Sequence, residues 1–563
     1  MRRGDVLLLI VALCAGALCF ANLGRLWPLV DVDLFAHRDA PGEAELAQVA
    51  ALGFADGAQR GARLRVEEPA LDYLQHAFGR ERAHELIRAG LPVAQVRATW
   101  KRAGDADSLT MFLHPDGRVL GFQRGVQEDA PGASLSEPAA EALARATLAD
   151  RLGLPVAAYA PTRRARHERP ERRDHELTFE RRYSDQPELR ERVDVLVAGD
   201  QVARAQRAVV VPASFERRIR VDRAGMDGLQ ALGMAGLASA AVAALAVFFD
   251  RLRRGGVRLV PAARLVALIL VLLVAVDLGQ QALLHEQWDP LWPRWIADAK
   301  LLVEWNVENV AIMVVLLAFL AAGDAIDREP ARRRDWWRDS AGARPVPADR
   351  GASLWLLASG RCADPRVIAA SLRGFLLGLV CGGVLTVAVV ALGWLVGAPS
   401  ALQPRGFFFF PLNSAAPAAI TLCFFLHIAL IEELGYRFFA GAWIDRRTGR
   451  RWLAIIAPAA IYGLMHSTMT FLPPAEPAWA RPLALALVGM VWGWAFFRYD
   501  ALTVVLSHLA CDLFIFTWPM MASGEARHVA TALAVVAAPL APAVVGLAWS
   551  AWRPAPRTDP PGA

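Results

Sequence analysis

The feature that most constrains this chain is a series of long, almost uncharged apolar segments separated by short arginine-rich stretches. A hydrocarbon core about 30 Å thick is crossed by roughly 20 mostly apolar residues in a helix. Only such helices, or closed barrels, satisfy their own backbone groups there. Besides an N-terminal run, the segments cover approximately residues 229–249, 262–283, 305–323, 371–396, 415–441, 452–472, 481–497, 501–519 and 528–550. The sequence therefore predicts a multi-pass α-helical membrane protein with about ten transmembrane helices.

The net charge of +6, carried mostly by arginine, has two interpretations. Clustered arginines bind nucleic acid, or they mark the cytoplasmic ends of membrane helices. The densest groups directly flank apolar segments, at Arg251–Arg254, Arg332–Arg334 and Arg446–Arg451. With the N-terminus inside, all three groups fall on the cytoplasmic side. We therefore expect no nucleic-acid partner and a multi-pass protein of the inner (plasma) membrane, with both termini cytoplasmic.

The N-terminal apolar run, about Val6 to Phe20, follows Arg2 and Arg3 and is typical of a signal peptide or of a membrane anchor. It lacks a small-x-small cleavage site before polar sequence begins, which favours an uncleaved anchor. The chain then divides into predicted units. These are the anchor (1–29), an extracytoplasmic α+β domain (30–225), three linking membrane helices (226–325), a cytoplasmic loop (326–366), a helical bundle (367–550) and a cytoplasmic tail (551–563).

The extracytoplasmic domain, residues 30–225, combines helical and alternating patterns. Ala70–Leu86 and Ser136–Leu152 are predicted helices, the second with Ser136 as its N-cap. Predicted strands are Val96–Trp100, Leu109–Leu113, Val119–Phe122, Glu176–Tyr183, Arg192–Val197 and Val202–Val211, with turns at Asp116-Gly117 and Gly199-Asp200. Helix followed by antiparallel strands thus occurs twice, which resembles tandem PepSY-like or cystatin-like modules. Such a domain is expected to bind a ligand or partner, or to shield the membrane part.

None of the six cysteines lies in this domain, so we expect it to fold without disulfides. The chain also has no CxxC pair, which argues against a cysteine zinc site.

Ionisable residues inside membrane helices cost about 2.5–3.5 kcal/mol on insertion scales, so each marks a candidate functional site. The C-terminal half carries three such groups. They are Glu432, Glu433 and Arg437 in one helix, Tyr462 and His466 in the next, and His508 and Asp512 two helices further on.

The spacing within each group has a physical meaning. Residues four apart lie on one helix face, so Glu433 can pair with Arg437. Glu432 points about 100° away from Glu433 and can face the interior of the bundle. Three helices then present a carboxylate, an imidazole, and an imidazole with a carboxyl group to one cavity. These groups suffice to activate water and to stabilise an oxyanion.

The order EExxxR, aromatic-xxxH and Hxxx(N/D) along membrane helices resembles the CAAX-processing and bacteriocin-processing (CPBP) proteases, which include the CAAX prenyl endopeptidases. The resemblance implies an intramembrane endopeptidase. It implies that Glu432 is the general base, assisted by His466, that Glu433 and Arg437 support the site, and that His508 and residue 512 stabilise the oxyanion. Tyr462 stands where Phe is usual, and Asp512 where Asn or Asp occurs. An ionised Asp512 would repel an oxyanion, so it must be protonated or orient His508.

Two alternatives stay open. Glu432, His466, His508 and Asp512 also have zinc-ligand chemistry, although the chain has no HExxH motif. We favour hydrolysis by glutamate-activated water without a cofactor. The bundle could instead be a non-catalytic scaffold, immunity factor or sensor. The partners expected for an enzyme are the lipid bilayer and a peptide or membrane-protein substrate.

Overall fold

The computed structural model describes residues 3–26, 29, 35, 37–54, 56–328, 349–396, 412–414, 416–468 and 479–552. The arginine group at 332–334 lies outside these residues. The described chain forms a helical bundle and a separate mixed domain built on one sheet.

The bundle consists of long apolar helices and a few short connecting ones. They are α1 (Arg3–Leu26), α6 (Ala213–Arg253), α7 (Leu259–Leu278), α8 (Gln281–Gln287), α9 (Arg294–Asp327), α10 (Ala352–Ala358), α11 (Pro365–Val396), α12 (Pro417–Glu433), α13 (Ala442–Thr448), α14 (Arg451–Met465), α15 (Ala480–Arg498), α16 (Ala501–Phe516), α17 (Trp518–Ala522), α18 (Ala526–Val536) and α19 (Ala541–Trp552). A π-helical turn, Leu434–Gly441, joins α12 to α13.

Each predicted membrane segment overlaps one or more of these helices, but their predicted number is not confirmed. Among the described residues, seven helices are long and apolar enough to cross a membrane. An eighth is counted if α18 and α19, which meet at a 41° bend, form one span. Helix α14 is apolar but has only 15 residues, fewer than the roughly 20 that a span needs. The described residues therefore form a helical membrane protein with seven or eight clear spans, against the roughly ten predicted for the whole chain.

The mixed domain, named the outer domain after its expected extracytoplasmic side, has one eight-stranded antiparallel sheet with the strand order β1-β2-β3-β4-β8-β7-β6-β5. The strands are β1 (Gln59–Val66), β2 (Ala94–Lys101), β3 (Ser108–Leu113), β4 (Val119–Arg124), β5 (Ala160–Glu168), β6 (Arg173–Arg182), β7 (Arg190–Ala198) and β8 (Gln201–Val209). Its helices are α2 (Glu43–Ala51), α3 (Glu68–Phe78), α4 (Arg80–Arg88) and α5 (Glu137–Asp150). Two halves of four strands join where β4 pairs with β8. Gly121 permits this pairing, because a Cβ there would lie 2.5 Å from the carbonyl oxygen of Ala205.

The six predicted strands are present, and the structure adds β1 and β5, which the sequence pattern did not indicate. Both are edge strands, and apolar and polar residues alternate poorly in β1, whose Arg60 pairs with Glu45 and Arg63 with Glu286 of α8. The single predicted helix Ala70–Leu86 is wrong. It is two helices, α3 and α4, broken at Gly79, whose φ of +77° ends α3. Ser136 does precede α5, but its side chain makes no capping hydrogen bond. The resemblance to PepSY-like or cystatin-like modules stays a prediction.

The outer domain rests on the bundle through β1 and β2. Lys101 Nζ donates to the carbonyl oxygens of Glu286 (2.7 Å) and Trp288 (2.6 Å), at the end of α8. The His285 ring lies against β1 at Gly61, where a Cβ would be 2.4 Å from the imidazole. Asn413 hydrogen-bonds both backbone groups of Leu64, its Oδ1 accepting from the N–H at 2.7 Å and its Nδ2 donating to the C=O at 3.2 Å. The open edge of β1 is thereby covered, as exposed sheet edges generally require.

His285 is held as a neutral ring in this interface. Arg294 can only donate, so Nδ1 of His285 accepts from it at 3.1 Å, and Nε2 donates to Thr99 O at 3.1 Å. Burial, followed by the charges of Arg294 and Lys101, lowers the pKa of His285 to about 4. Between pH 6.5 and about 4 the detached ring binds a proton that the docked ring does not bind. The docked state therefore loses stability as the pH falls through that window.

Acidification should accordingly loosen the docking of β1 on α8. We expect backbone amides of residues 59–66 and 281–287 to exchange hydrogen faster, relative to intrinsic rates, at pH 5 than at pH 7. In His285→Gln, which keeps an N–H donor but cannot be protonated, this pH dependence should be lost. An equal pH dependence in both proteins would contradict the assignment to His285.

Candidate active site

The site begins where α12 changes from α-helical to π-helical geometry. Glu432 and Glu433 are the last residues of α12, and Arg437 lies within the π-helical turn. All residues of that turn are buried. Single π-helical turns are rare in α-helices and frequent at functional sites, because they shift side chains around the helix axis. Here the turn keeps Arg437 beside Glu433 while the wider backbone packs among α9, α14 and α15.

Glu433 and Arg437 form a fully buried ion pair. Arg437 Nη1 donates to Glu433 Oε1 at 2.9 Å, and both side chains are at most 3% exposed. The second Arg437 nitrogen, Nη2, donates to the carbonyl oxygen of Gly489 on α15 at 3.3 Å. Gly489 allows this approach, since its missing side chain would lie 3.1 Å from Nη2. The predicted pairing of residues four apart is therefore present, and it is bonded further to α15.

His508 joins this pair from α16. Its Nδ1 lies 2.7 Å from Glu433 Oε1, the same oxygen that accepts from Arg437. That oxygen is a hydrogen-bond acceptor, so Nδ1 of His508 carries the proton. The other nitrogen, Nε2, faces Asp512 Oδ2 at 3.4 Å and Glu432 Oε2 at 3.7 Å.

Glu432 occupies a different environment from its neighbour. One of its oxygens, Oε1, lies 3.7 Å from His466 Nε2, and the other lies 3.7 Å from His508 Nε2. Its side chain is 16% exposed and that of Asp512 15%, against 2% for Glu433. Oε2 of Glu432 accepts no hydrogen bond from any described residue. The Glu432 carboxylate thus lies between two imidazoles, with one buried oxygen free to accept a hydrogen bond.

His466 reaches this position because α14 ends there. It is the C-cap residue of α14, and its Nδ1 lies 2.7 Å from Tyr462 O, one of the carbonyls that a helix end leaves unpaired. A carbonyl oxygen only accepts, so Nδ1 carries the hydrogen. In the neutral ring, Nε2 then has a free lone pair directed at Glu432.

Aromatic rings enclose the charged groups. Trp492 of α15 stacks on His508 with a centroid distance of 4.1 Å, and its Nε1 donates to Ser507 Oγ at 3.1 Å. The Arg437 guanidinium lies 4.9 Å from the ring of Tyr462 and 5.3 Å from that of Trp492. Sequence reasoning missed Trp492, Ser507 and Gly489. They stand in apolar helices without a spacing that links them to the three motifs.

All six predicted site residues therefore meet in one place: Glu432, Glu433, Arg437, His466, His508 and Asp512. His427, on the same helix, has its Nδ1 3.3 Å from Cys423 O and lies against Phe424, outside this group. Glu432, His466, His508 and Asp512 are the side chains whose chemistry would suit a metal. Within the described part of the chain, no three His, Cys, Asp or Glu side chains are arranged to hold one metal ion.

Replacing Arg437 tests how far the stability of the protein depends on pairing the buried Glu433 carboxylate with a cation. We expect Arg437→Met to lower the free energy of unfolding by about 3–5 kcal/mol, because Glu433 would stay buried without its cation. The measurement is equilibrium unfolding in mixed micelles containing a denaturing detergent. Arg450→Met, at an exposed position, is the control and should change the value by less than about 0.5 kcal/mol. Similar losses in both variants would contradict the buried-pair interpretation.

Comparison with known protein families gives a match. Residues 414–514 match the family model described as "Type II CAAX prenyl endopeptidase Rce1-like". The matched segment contains all six site residues. No curated protein and no solved structure matches the chain significantly. The resemblance predicted from the three motifs is thus confirmed, and at family level this segment is similar to CAAX-protease-like membrane endopeptidases.

Proposed function

We propose, from the similarity of residues 414–514 to the CAAX-protease-type family, that this membrane protein is an intramembrane endopeptidase using water activated by Glu432. The substrate would be a peptide or membrane protein that reaches the site within the bilayer of the inner (plasma) membrane. Both termini would be cytoplasmic and the sheet domain outside.

The observation that carries the proposal is the position of the Glu432 carboxylate. Its two oxygens are each 3.7 Å from an imidazole Nε2. A direct hydrogen bond spans about 2.7–3.2 Å, so these pairs are too far apart to bond directly. They are close enough for one water molecule to bond to both members of a pair. A carboxylate and an imidazole lone pair facing one water are the groups that general-base catalysis requires.

The reaction follows from these positions. Glu432 takes a proton from the water while the water oxygen bonds to the scissile carbonyl carbon. The carbonyl oxygen becomes an oxyanion, and Glu432 then gives its proton to the leaving amine as the C–N bond breaks. His466 assists through the Nε2 that faces Glu432.

No metal ion is needed in this scheme, and addition of a chelator should leave the rate unchanged.

His508 is the proposed oxyanion donor. Glu433 fixes its Nδ1–H, and the stack on Trp492 fixes the ring plane. Because Nε2 also faces carboxylate oxygens, those of Asp512 and Glu432, we assign it a second proton. His508 then acts as an imidazolium whose Nε2–H is directed into the space between Glu432 and Asp512. In a site closed to bulk water, such a fixed donor contributes on the order of 3–4 kcal/mol to stabilising the transition state.

Asp512 is the proposed partner that orients His508. Its Oδ2 lies 3.4 Å from His508 Nε2, which supports pairing of the two in the absence of substrate. When the oxyanion forms, Nε2–H turns its hydrogen bond from Asp512 to the substrate. Because the charge of Asp512 is paired with that of His508, it repels the oxyanion less than an isolated ionised Asp512 would.

The test of the enzyme proposal is a comparison of newly formed protein termini in membranes containing wild type or Glu432→Ala at equal expression. Termini that form with wild type should disappear with Glu432→Ala. Glu304→Ala, which changes an exposed glutamate of α9, is the control and should behave as wild type. If both variants and wild type give the same termini while inserted correctly, the scaffold or sensor alternative takes the place of the enzyme.

Substitutions at position 512 test the role of its carboxyl group. Asp512→Asn keeps a hydrogen-bonding side chain of the same shape, so we expect cleavage within about tenfold of wild type. Asp512→Ala removes the partner of His508 and should lower kcat by about 10²–10³-fold, as loss of an oxyanion donor does. Equal losses in the two variants would mean that the negative charge itself is required.

A further inference from the structure

The last turn of α14, which carries His466, is in backbone contact with a helix outside the matched segment. Gly233 of α6 lies against it, and a Cβ at Gly233 would be 2.5 Å from Met465 N and 2.8 Å from the carbonyl carbon of Leu464. Real Cβ atoms do not approach backbone atoms so closely. Any side chain at position 233 must therefore displace α6 or the residue directly before His466.

A hydrogen bond ties the same two elements together just after His466. Gln230, one turn before Gly233 on α6, accepts from the backbone N–H of Thr468 at 3.1 Å. Helix α14 has ended by then, so this N–H is beyond its regular hydrogen bonding. His466 is thus bracketed by two contacts with α6, one at Met465 and one at Thr468.

The opposite side of α14 is equally constrained. A Cβ on Gly463 would lie 2.2 Å from the carbonyl oxygen of Pro482 on α15. The last turn of α14 is therefore held between two helices, and it has no room to absorb a shift of α6. A displacement of α6 would move His466 relative to Glu432.

Helix α6 is itself fixed to the outer domain. It begins at Ala213, shortly after β8 ends at Val209. In its first turn, Phe215 packs on Tyr73 and His76 of α3, with centroid distances of 5.5 and 5.6 Å. The helix therefore runs from the outer sheet domain to the site.

We propose that α6 is the positioning helix of the site, in which Gly233 and Gln230 hold the end of α14 so that His466 faces Glu432. These are positioning residues, and the inference rests on the proposed function for its kinetic consequence. Since α6 is anchored in the outer domain, that domain contributes to the alignment of a catalytic group that it does not touch.

Three glycines of α6 provide a graded test. Gly228→Ala enters open space, Gly236→Ala meets only the side chain of Ile461 at 2.9 Å, and Gly233→Ala meets backbone. With a peptide spanning the cleavage position found in the comparison of termini, we expect Gly233→Ala to lower kcat at least tenfold with KM unchanged. Gly228→Ala should equal wild type, and Gly236→Ala should stay within about threefold. Equal kcat values for the variants at 233 and 236 would overturn the proposal.

Gln230 supplies a second test that does not depend on a new side chain in a crowded place. Gln230→Met keeps the length but loses the acceptor, and we expect kcat to fall about threefold or more. Gln230→Glu restores an accepting oxygen and should recover most of the rate. If the two variants have the same kcat, the hydrogen bond to Thr468 has no positioning role.

A labelling measurement separates this inference from the enzyme proposal. The rate at which diethyl pyrocarbonate modifies His466, measured by mass spectrometry, should rise in Gly233→Ala and stay at the wild-type value in Gly228→Ala. His466 is 8% exposed in the native site, so displacement increases its access to the reagent. This result would support positioning even if no termini depend on Glu432. Unchanged labelling in both variants would overturn it.

Discussion

The structure around the site depends on one buried interaction, the ion pair between Glu433 and Arg437. Two charges with at most 3% exposure are costly to desolvate, and they are tolerated because each is bonded further. Glu433 also receives Nδ1 of His508, and Arg437 reaches the carbonyl oxygen of Gly489. The pair therefore joins α12, α15 and α16 at one depth. Sliding or rotating any of these helices would leave a charge unpaired in an apolar environment, so the network specifies their register.

Two adjacent glutamates consequently have different tasks. Glu433 is bonded to Arg437 and His508. Glu432 faces two imidazoles and keeps one oxygen without a hydrogen-bond donor among the described residues. The chemical difference does not arise from the residue type. It comes from the rotation between neighbouring positions on a helix and from the partners that each side meets.

The outer sheet domain is attached to the membrane part through several contacts of different kinds. Strand β1 is bonded to Asn413, which lies shortly before the helix that carries Glu432, and to the short helix after α7. Helix α6 is packed along the end of α14. The first attachment is polar and depends on a neutral His285, and the second is steric and depends on glycine. Both connect the sheet to the elements around the candidate site.

The sequence by itself determined the helical membrane class, the six strands with regular alternation, and the six polar residues of the site, because charge is rare in apolar segments and spacing fixes helix faces. It did not determine strands β1 and β5, in which apolar and polar residues do not alternate regularly. It also did not determine the break at Gly79, where a positive φ ends the helix. Nor did it reveal Trp492 and Gly233, which carry no charge and belong to no motif. Their importance arises from distances between helices far apart in the chain, and only the tertiary structure decides those distances.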